Sequence, residues 1–226
     1  MSITHISPSV YNFLNKLKDN NNRDWFNEHK ETFKKEQQEV KAFYQALMEK
    51  LRLHDDIEDM KMFRIYRDVR FSANKQPYKE HFSGSFKRTK PRLRGGYYLH
   101  IEPGNTFLAC GFWAPEKEDL LRIRKEFELD DDEIREILSE KKFRDTFGQL
   151  KGEELKTAPK GFDREHTAID LIRKKQYVVT KKFTDKEATS SGFIDTVDES
   201  FKAIRPFFDY MSDVLTTDLN GVSLID

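Results

Sequence analysis

Only one cysteine, Cys110, occurs in the 226 residues, so no intramolecular disulfide can close and no cysteine-based zinc finger can form. No stretch approaches the roughly 20 consecutive apolar residues that a bilayer crossing requires. The residues from Met1 to Pro8 carry neither a basic n-region nor an apolar h-region, so a soluble, cytoplasmic protein with no membrane partner is expected. Ten glycines and seven prolines make no linker, and no internal repeat or low-complexity tract is visible. A single domain spanning 1–226 is the resulting expectation. Also missing are a Ser-His-Asp order, HExxH, a Walker loop and a dinucleotide-binding glycine fingerprint. Whether the chain is an enzyme is left open on these grounds, and no cofactor is assigned.

What is present suffices for a self-supporting core. At 26.9 kDa, surface scaling lets folding hide roughly 70% of the chain's surface. The 40 basic and 40 acidic side chains cancel, which removes the net repulsion that keeps highly charged chains disordered. The aromatic load is high, with 19 Phe, 8 Tyr and 2 Trp.

Periodicity then sets the class. Ser7 and Pro8 read as an N-cap and first helical position, followed by Val10, Phe13, Leu14 and Leu17 at helical spacing. From about Asp24 the stripe Trp25, Phe26, His29, Phe33, Val40, Phe43, Leu47 and Leu51 predicts one helix about 40 Å long. A period of two from Lys61 to Phe71 predicts a strand, and further strands follow through Phe82 to Phe86, Tyr97 to Ile101, Thr106 to Trp113 and Tyr177 to Phe183. The Thr106 to Trp113 strand, apolar on both faces, belongs inside the sheet. Pro115 with Glu116, Glu118 and Asp119 starts a helix, a second follows Asp130 to Asp132, and Thr167 with Asp170 has capping-box spacing for a short one. A last helix collects Phe193 to Leu215, with a kink expected at Pro206. The class is α+β: an antiparallel sheet of about five strands flanked by helices, with a long N-terminal and a long C-terminal helix.

Charge is segregated. Residues 61–94 hold eleven Lys or Arg against Asp68 and Glu80 alone, a net plus nine, whereas 116–154 hold fourteen acidic against nine basic side chains. The basic run is either a solvated sheet face that discourages edge pairing or an anion site. Nucleic acid fits less well, because the calculated pI is near 7.0 rather than above about 9, though Phe82, Phe86, Tyr97 and Tyr98 interleave with the cations.

One position breaks its pattern. In the register of Phe63, Ile65, Val69 and Phe71, Arg67 lies on the apolar face, and a guanidinium there needs a carboxylate, carbonyls or a bound anion. A bulge or an acidic helix residue would supply the ordinary answer; an exogenous phosphate or carboxylate would supply the functional one. His100 and Glu102 leave one strand face together and could chelate a metal with Tyr98 or a third ligand elsewhere, but two ligands make no site and no metal is assigned. His29 reads as a hydrogen-bonded core histidine, and Cys110 as an inert buried thiol.

The run Phe63 to Lys79, followed by Gly96 to Pro103 and Gly111 to Pro115, resembles bacterial proteins grouped as domain of unknown function 2461. Ala158 to Phe162, His166, Ile169 to Leu171 and Arg173 to Lys175 are similar too. Asn74 replaces an expected Asp, and Thr167 a Pro that often follows His166. The resemblance implies no particular activity, cofactor or partner. It places Arg64, Arg67, Asp68, Arg70, Ser72, Lys75, Tyr78 and Lys79 among its markers, in the segment that the charge count selects. The expectation is binding of an anionic, phosphate- or carboxylate-bearing small molecule in a basic pocket between residues 63–79 and the 97–113 hairpin. Arg64, Arg67 and Arg70 would grip the anion, Lys75 and Lys79 would make outer contacts, and Tyr78 and Trp113 would form walls. Two alternatives stand beside it. One is an enzyme acting on a phosphorylated small molecule or nucleotide, with Asp68 or His100 as general base. The other is a charge-driven protein interaction module, and the oligomeric state is left unassigned.

Overall fold

A computed structural model describes residues 4–70 and 73–225. Pro8–Asp19 (α1) is capped by the Ser7 side chain, which accepts from the Ser9 N–H, and it buries Val10, Phe13, Leu14 and Leu17. The predicted 28-residue helix is instead two, Arg23–Glu28 (α2) and Lys30–Leu51 (α3), parted at His29. There is no proline or glycine at this break. The His29 ring stacks on Trp25 at 4.0 Å and its Nδ1 pairs with the Trp25 carbonyl at 2.8 Å, so the histidine closes one helix and opens the next.

The sheet is a meander in sequence order: Ile57–Met62 (β1), Phe82–Arg88 (β2), Gly96–Ile101 (β3), Thr106–Phe112 (β4) and, after the helices Lys117–Leu129 (α4), Asp132–Ser139 (α5), Lys141–Phe147 (α6) and Ile169–Ile172 (α7), Tyr177–Phe183 (β5). All pairings are antiparallel, and β4 lies inside the sheet as expected. Asp185–Ala188 (α8), Phe193–Ala203 (α9) and Arg205–Thr216 (α10) complete the α+β architecture. Pro206 does not kink a single helix; it sits in the first turn of α10, where its missing N–H costs nothing. The Thr167 and Asp170 capping box does not form, since α7 starts from Ala168 with no side-chain cap; Thr184 and Glu187 make a capping box ahead of α8.

The first strand is displaced from its predicted place. It ends at Met62, and the alternating residues beyond are extended backbone that pairs only locally, through the Tyr66–Tyr78 bridge. Arg67 N–H donates to the Pro77 carbonyl at 2.9 Å, and Lys79 N–H to the Ile65 carbonyl at 2.7 Å. A period of two reports extended backbone, which needs no ladder. The predicted end of that strand at Phe71, and Ser72, lie outside the described residues.

The described residues cluster into two compact units. The first comprises the chain through Phe86, Tyr98–Leu108 and Lys182–Glu199; the second comprises Lys87–Tyr97, Ala109–Lys181 and the chain from Ser200. No described helix is long and apolar enough to cross a membrane. In the first unit α3 lays Phe43, Tyr44, Leu47 and Leu51 on a core with Phe82, Phe86, Leu99 and Ile101. Tyr44 is fully buried, stacks with Phe86 at 5.7 Å and donates its hydroxyl to the Leu99 carbonyl at 2.7 Å. That hydrogen bond fixes the ring against Gly84, where an added Cβ would meet Tyr44 at 2.6 Å and the Lys61 carbonyl at 3.0 Å. In the second unit Tyr97 packs on Phe201 and Phe208 at 4.8 and 5.1 Å, and Phe127 packs on Tyr177 at 5.7 Å.

Because neither the locked Tyr44 ring nor the β1 carbonyl can retreat cheaply, Gly84→Ala should destabilise the protein by about 1–3 kcal/mol, the usual cost of overpacking. Urea unfolding of wild type and variant measures it.

Candidate functional site

The segment from Phe63 to Lys79 keeps its alternation: Ile65 is buried, Arg67 and Val69 are half-buried, and Arg64, Tyr66, Asp68 and Arg70 face solvent. Arg67 therefore points inward as its register requires. Its Nη2 reaches only the Tyr78 carbonyl, at 3.4 Å, and its buried Nε has no partner. Among the described residues no carboxylate lies within ion-pair distance of this guanidinium. Lys79 is beside it, half-buried, with its ammonium 6.0 Å from the Phe63 ring centroid. Burial first, and then the charges of Arg64 and Arg67, push the Lys79 pKa below its ordinary value. Arg64 lines a shallow groove of about 610 Å³ with Lys34, Lys41 and Lys61. Arg64, Arg67 and Lys79 thus form one cationic cluster in the first unit.

The other expected site residues are not brought into it. Arg70 forks onto Asp68, Nε to Oδ1 at 3.0 Å and Nη2 to Oδ2 at 2.7 Å, both exposed. These hydrogen bonds hold the Asp68 carboxyl below the usual carboxylate range, which leaves it ill-suited as a general base near neutrality. Lys75 is exposed and donates to the Val69 carbonyl at 3.0 Å. Tyr78 is a core residue, stacked on Phe26 at 3.9 Å, rather than a pocket wall. Trp113 belongs to the second unit and stands 68% exposed, so its expected role as a wall is not met either.

A polar constellation lies on the outer face of the sheet in the same unit. Tyr98, His100 and Glu102 leave β3 and its end on one side, opposite the buried Leu99 and Ile101. His81, one residue ahead of β2, joins them from the neighbouring strand, its ring 4.1 Å from that of His100. Sequence reading missed His81; the phase opposite to Phe82, Gly84 and Phe86 together with β2–β3 pairing would have found it. The ligating atoms of His81, His100 and Glu102 all lie within 4.8 Å of one another. The Tyr98 hydroxyl meets His100 Nδ1 at 3.0 Å, and His100 Nε2 meets Glu102 Oε2 at 3.0 Å, so His100 is spanned at both nitrogens. Burial lowers both imidazoles; His81 falls to about 4, with His100 next to it and the charges of Lys79 and Arg67 adding to the effect. Burial pulls Glu102 the other way, but hydrogen bonds from Asn105 and His100 keep its carboxyl below the ordinary value. Two neutral imidazoles and a carboxylate are a donor set suited to a divalent transition ion. Cys110 is buried and its thiol is pushed well above its ordinary pKa, as expected for an inert residue.

The fold is an α+β meander sheet with a cationic cluster and a His-His-Glu face in one unit. Residues 9–210 match the model of a family described as conserved hypothetical protein, DUF2461, and the chain belongs to that family. No curated protein and no solved structure matches the chain.

Two arginines of the basic run are paired within the second unit, which sequence reading did not foresee. Arg88 is fully buried and lies over the Phe208 ring at 5.1 Å. It donates to the carbonyls of Arg94 at 2.9 Å and Phe208 at 3.3 Å, to Ser212 Oγ at 3.2 Å and to Asp209 Oδ1 at 2.8 Å. Arg94 pairs with Asp119, from the acidic segment of the same chain. A larger groove in this unit is lined by Arg135, Lys141, Arg144 and Lys174, of which Arg135, Lys141 and Lys174 pair internally with Asp170, Asp145 and Glu154. Arg88→Met keeps the bulk but removes a donor from these carbonyls and from Asp209, which retains Arg205, while the Phe208 carbonyl retains Ser212 Oγ. We expect a loss of about 3 kcal/mol in urea unfolding.

Proposed function

We propose that the protein binds an anionic small molecule, bearing phosphate or carboxylate, at Arg67, Lys79 and Arg64. The observation that carries this reading is the Arg67 guanidinium: it is half-buried, its Nε is unpartnered, and its one side-chain hydrogen bond is a long one to a carbonyl. A guanidinium offers five donors in a planar fork, and desolvating it without an anion is costly. Lys79 compounds the cost, since a second cation is held against the first. An exogenous oxyanion removes both penalties at once, accepting a bidentate pair from Arg67 and a point contact from Lys79. Arg64 also lines a groove of about 610 Å³ along β1 and α3, which Arg67 and Lys79 do not line.

Calorimetric titration with inorganic phosphate and, separately, with succinate tests the reading and tells the two anion classes apart. Arg67→Met and Lys79→Met should each weaken binding by roughly tenfold to a hundredfold, the worth of charge-assisted hydrogen bonds. Arg70→Met and Lys75→Met, which remove side chains tied to Asp68 and to the Val69 carbonyl, should bind as wild type does. Equal binding by wild type and Arg67→Met would overturn the assignment.

A further inference from the structure

We propose that His81, His100 and Glu102 form a binding site for a divalent first-row transition ion, with at least one coordination position open to an exogenous oxyanion. The metal site stands on its own residues; only the assignment of the open position to an anion rests on the function proposed above.

Geometry comes first. Donors about 2.1 Å from a shared ion, at angles of about 90–110°, lie about 3.0–3.4 Å apart. His100 Nε2 and Glu102 Oε2 already stand 3.0 Å apart as a hydrogen-bonded pair, and His81 brings the third ligating atom within 4.8 Å of both, so side-chain rotation closes any separation beyond about 3.4 Å when the ion binds. The side chains hang from paired strands and from a tight turn. Glu102 is held in that turn by its own N–H on Thr106 Oγ1 at 3.2 Å and by its carbonyl, which accepts from Thr106 Oγ1 at 2.9 Å. A rigid scaffold of this kind presents ligands without ordering loops.

The surroundings match what metal-bound imidazole and carboxylate need. The Tyr98 hydroxyl sits on His100 Nδ1, the nitrogen left over when Nε2 binds metal, and can accept the proton that Nδ1 then carries. Asn105 Nδ2 donates to Glu102 Oε2 at 2.8 Å and fixes that carboxylate. Phe107 stacks on the His100 ring at 4.6 Å and shields one side. His81 supplies the second argument. Among the described residues it makes no hydrogen bond, although it is half-buried and lies against another imidazole.

The donor set narrows the ion. Two imidazoles disfavour calcium and magnesium, which prefer oxygen alone, and the absence of thiolate or thioether disfavours monovalent copper. Three protein ligands leave at least one position for an exogenous group. Two neutral imidazoles and one carboxylate give a loaded site a net positive charge. Lys79 stands two residues before His81, and Arg67 Nη2 reaches the Tyr78 carbonyl three residues before it, so that group should be an oxyanion shared between the metal and Arg67.

Titration of the full chain with cobalt(II), followed by its visible absorption and by calorimetry, tests the site. Wild type should take up one equivalent with a ligand-field band. His81→Ala and Glu102→Gln, each lacking one of three ligands, should lose the band. Tyr98→Phe should keep it with affinity reduced about 10–100-fold, as when the partner of a ligating histidine is removed. Cobalt should also raise the thermal midpoint of wild type but not of His81→Ala. No equimolar uptake by wild type, or equal uptake by wild type and His81→Ala, would overturn the metal site. Inorganic phosphate added to the cobalt form should shift the band in wild type and not in Arg67→Met, which should still bind cobalt. A band that phosphate never perturbs would overturn the shared oxyanion while leaving the metal assignment standing.

Discussion

The antiparallel pairing of β2 with β3 is the constraint on which both faces of the first unit depend. Side chains alternate along each strand, so one register sends Phe82, Phe86, Leu99 and Ile101 into the core under α3 and sends His81, Tyr98, His100 and Glu102 to the other side. A slip of one residue would turn the histidines into the apolar core and the phenylalanines away from it. The apolar face makes such a slip prohibitive, and the chemistry on the opposite face inherits that precision without spending stability of its own. Tyr44, wedged between the Leu99 carbonyl and Gly84, locks α3 onto the same two strands.

Arginines from one basic run meet opposite fates, and the difference is one of partners rather than of charge. Arg88 is buried completely, yet a carboxylate, two carbonyls and a hydroxyl receive its donors, so its desolvation is compensated from within. Arg67 is buried only in part but is scarcely compensated at all. Arg70 lies in water with its own carboxylate. Net charge along a segment cannot separate these cases, because it counts cations and not the acceptors that folding delivers to them. Of the eleven cations, Arg70, Arg88 and Arg94 meet carboxylates of the chain, whereas Arg64, Arg67 and Lys79 gather in the first unit.

Signals local to one element were the legible ones. Four of the five strands, the Ser7 cap of α1 and the inward phase of Arg67 follow from spacing alone, since alternation and caps are properties of a few consecutive residues. The family resemblance, too, rests on contiguous runs, and its match extends over residues 9–210. Features made by two distant segments were not legible. His81 became a neighbour of His100 through strand pairing, Arg88 met Asp209 across 121 positions, and Tyr78 found Phe26 across 52. The break at His29 was invisible for another reason: it carries no proline or glycine and is made by a ring folding back on the preceding turn.

The cationic cluster and the imidazole face make sense together more readily than apart. Burial first, then His100 and the charges of Lys79 and Arg67, disfavour protonation of His81, and Glu102 opposes them without reversing the outcome. An imidazole held neutral cannot itself attract an anion, but it remains a donor of electron pairs, and the nearby cations are the groups that would draw an oxyanion to its side. Neighbouring positive charge is a poor environment for a bare divalent ion and a favourable one for an ion that arrives with, or is completed by, an anionic ligand. Glu102 offsets one of the two metal charges, and the bound anion would offset the other together with part of the Arg67 and Lys79 charge. On this physical ground metal and anion should bind with positive coupling, each lowering the electrostatic cost of the other.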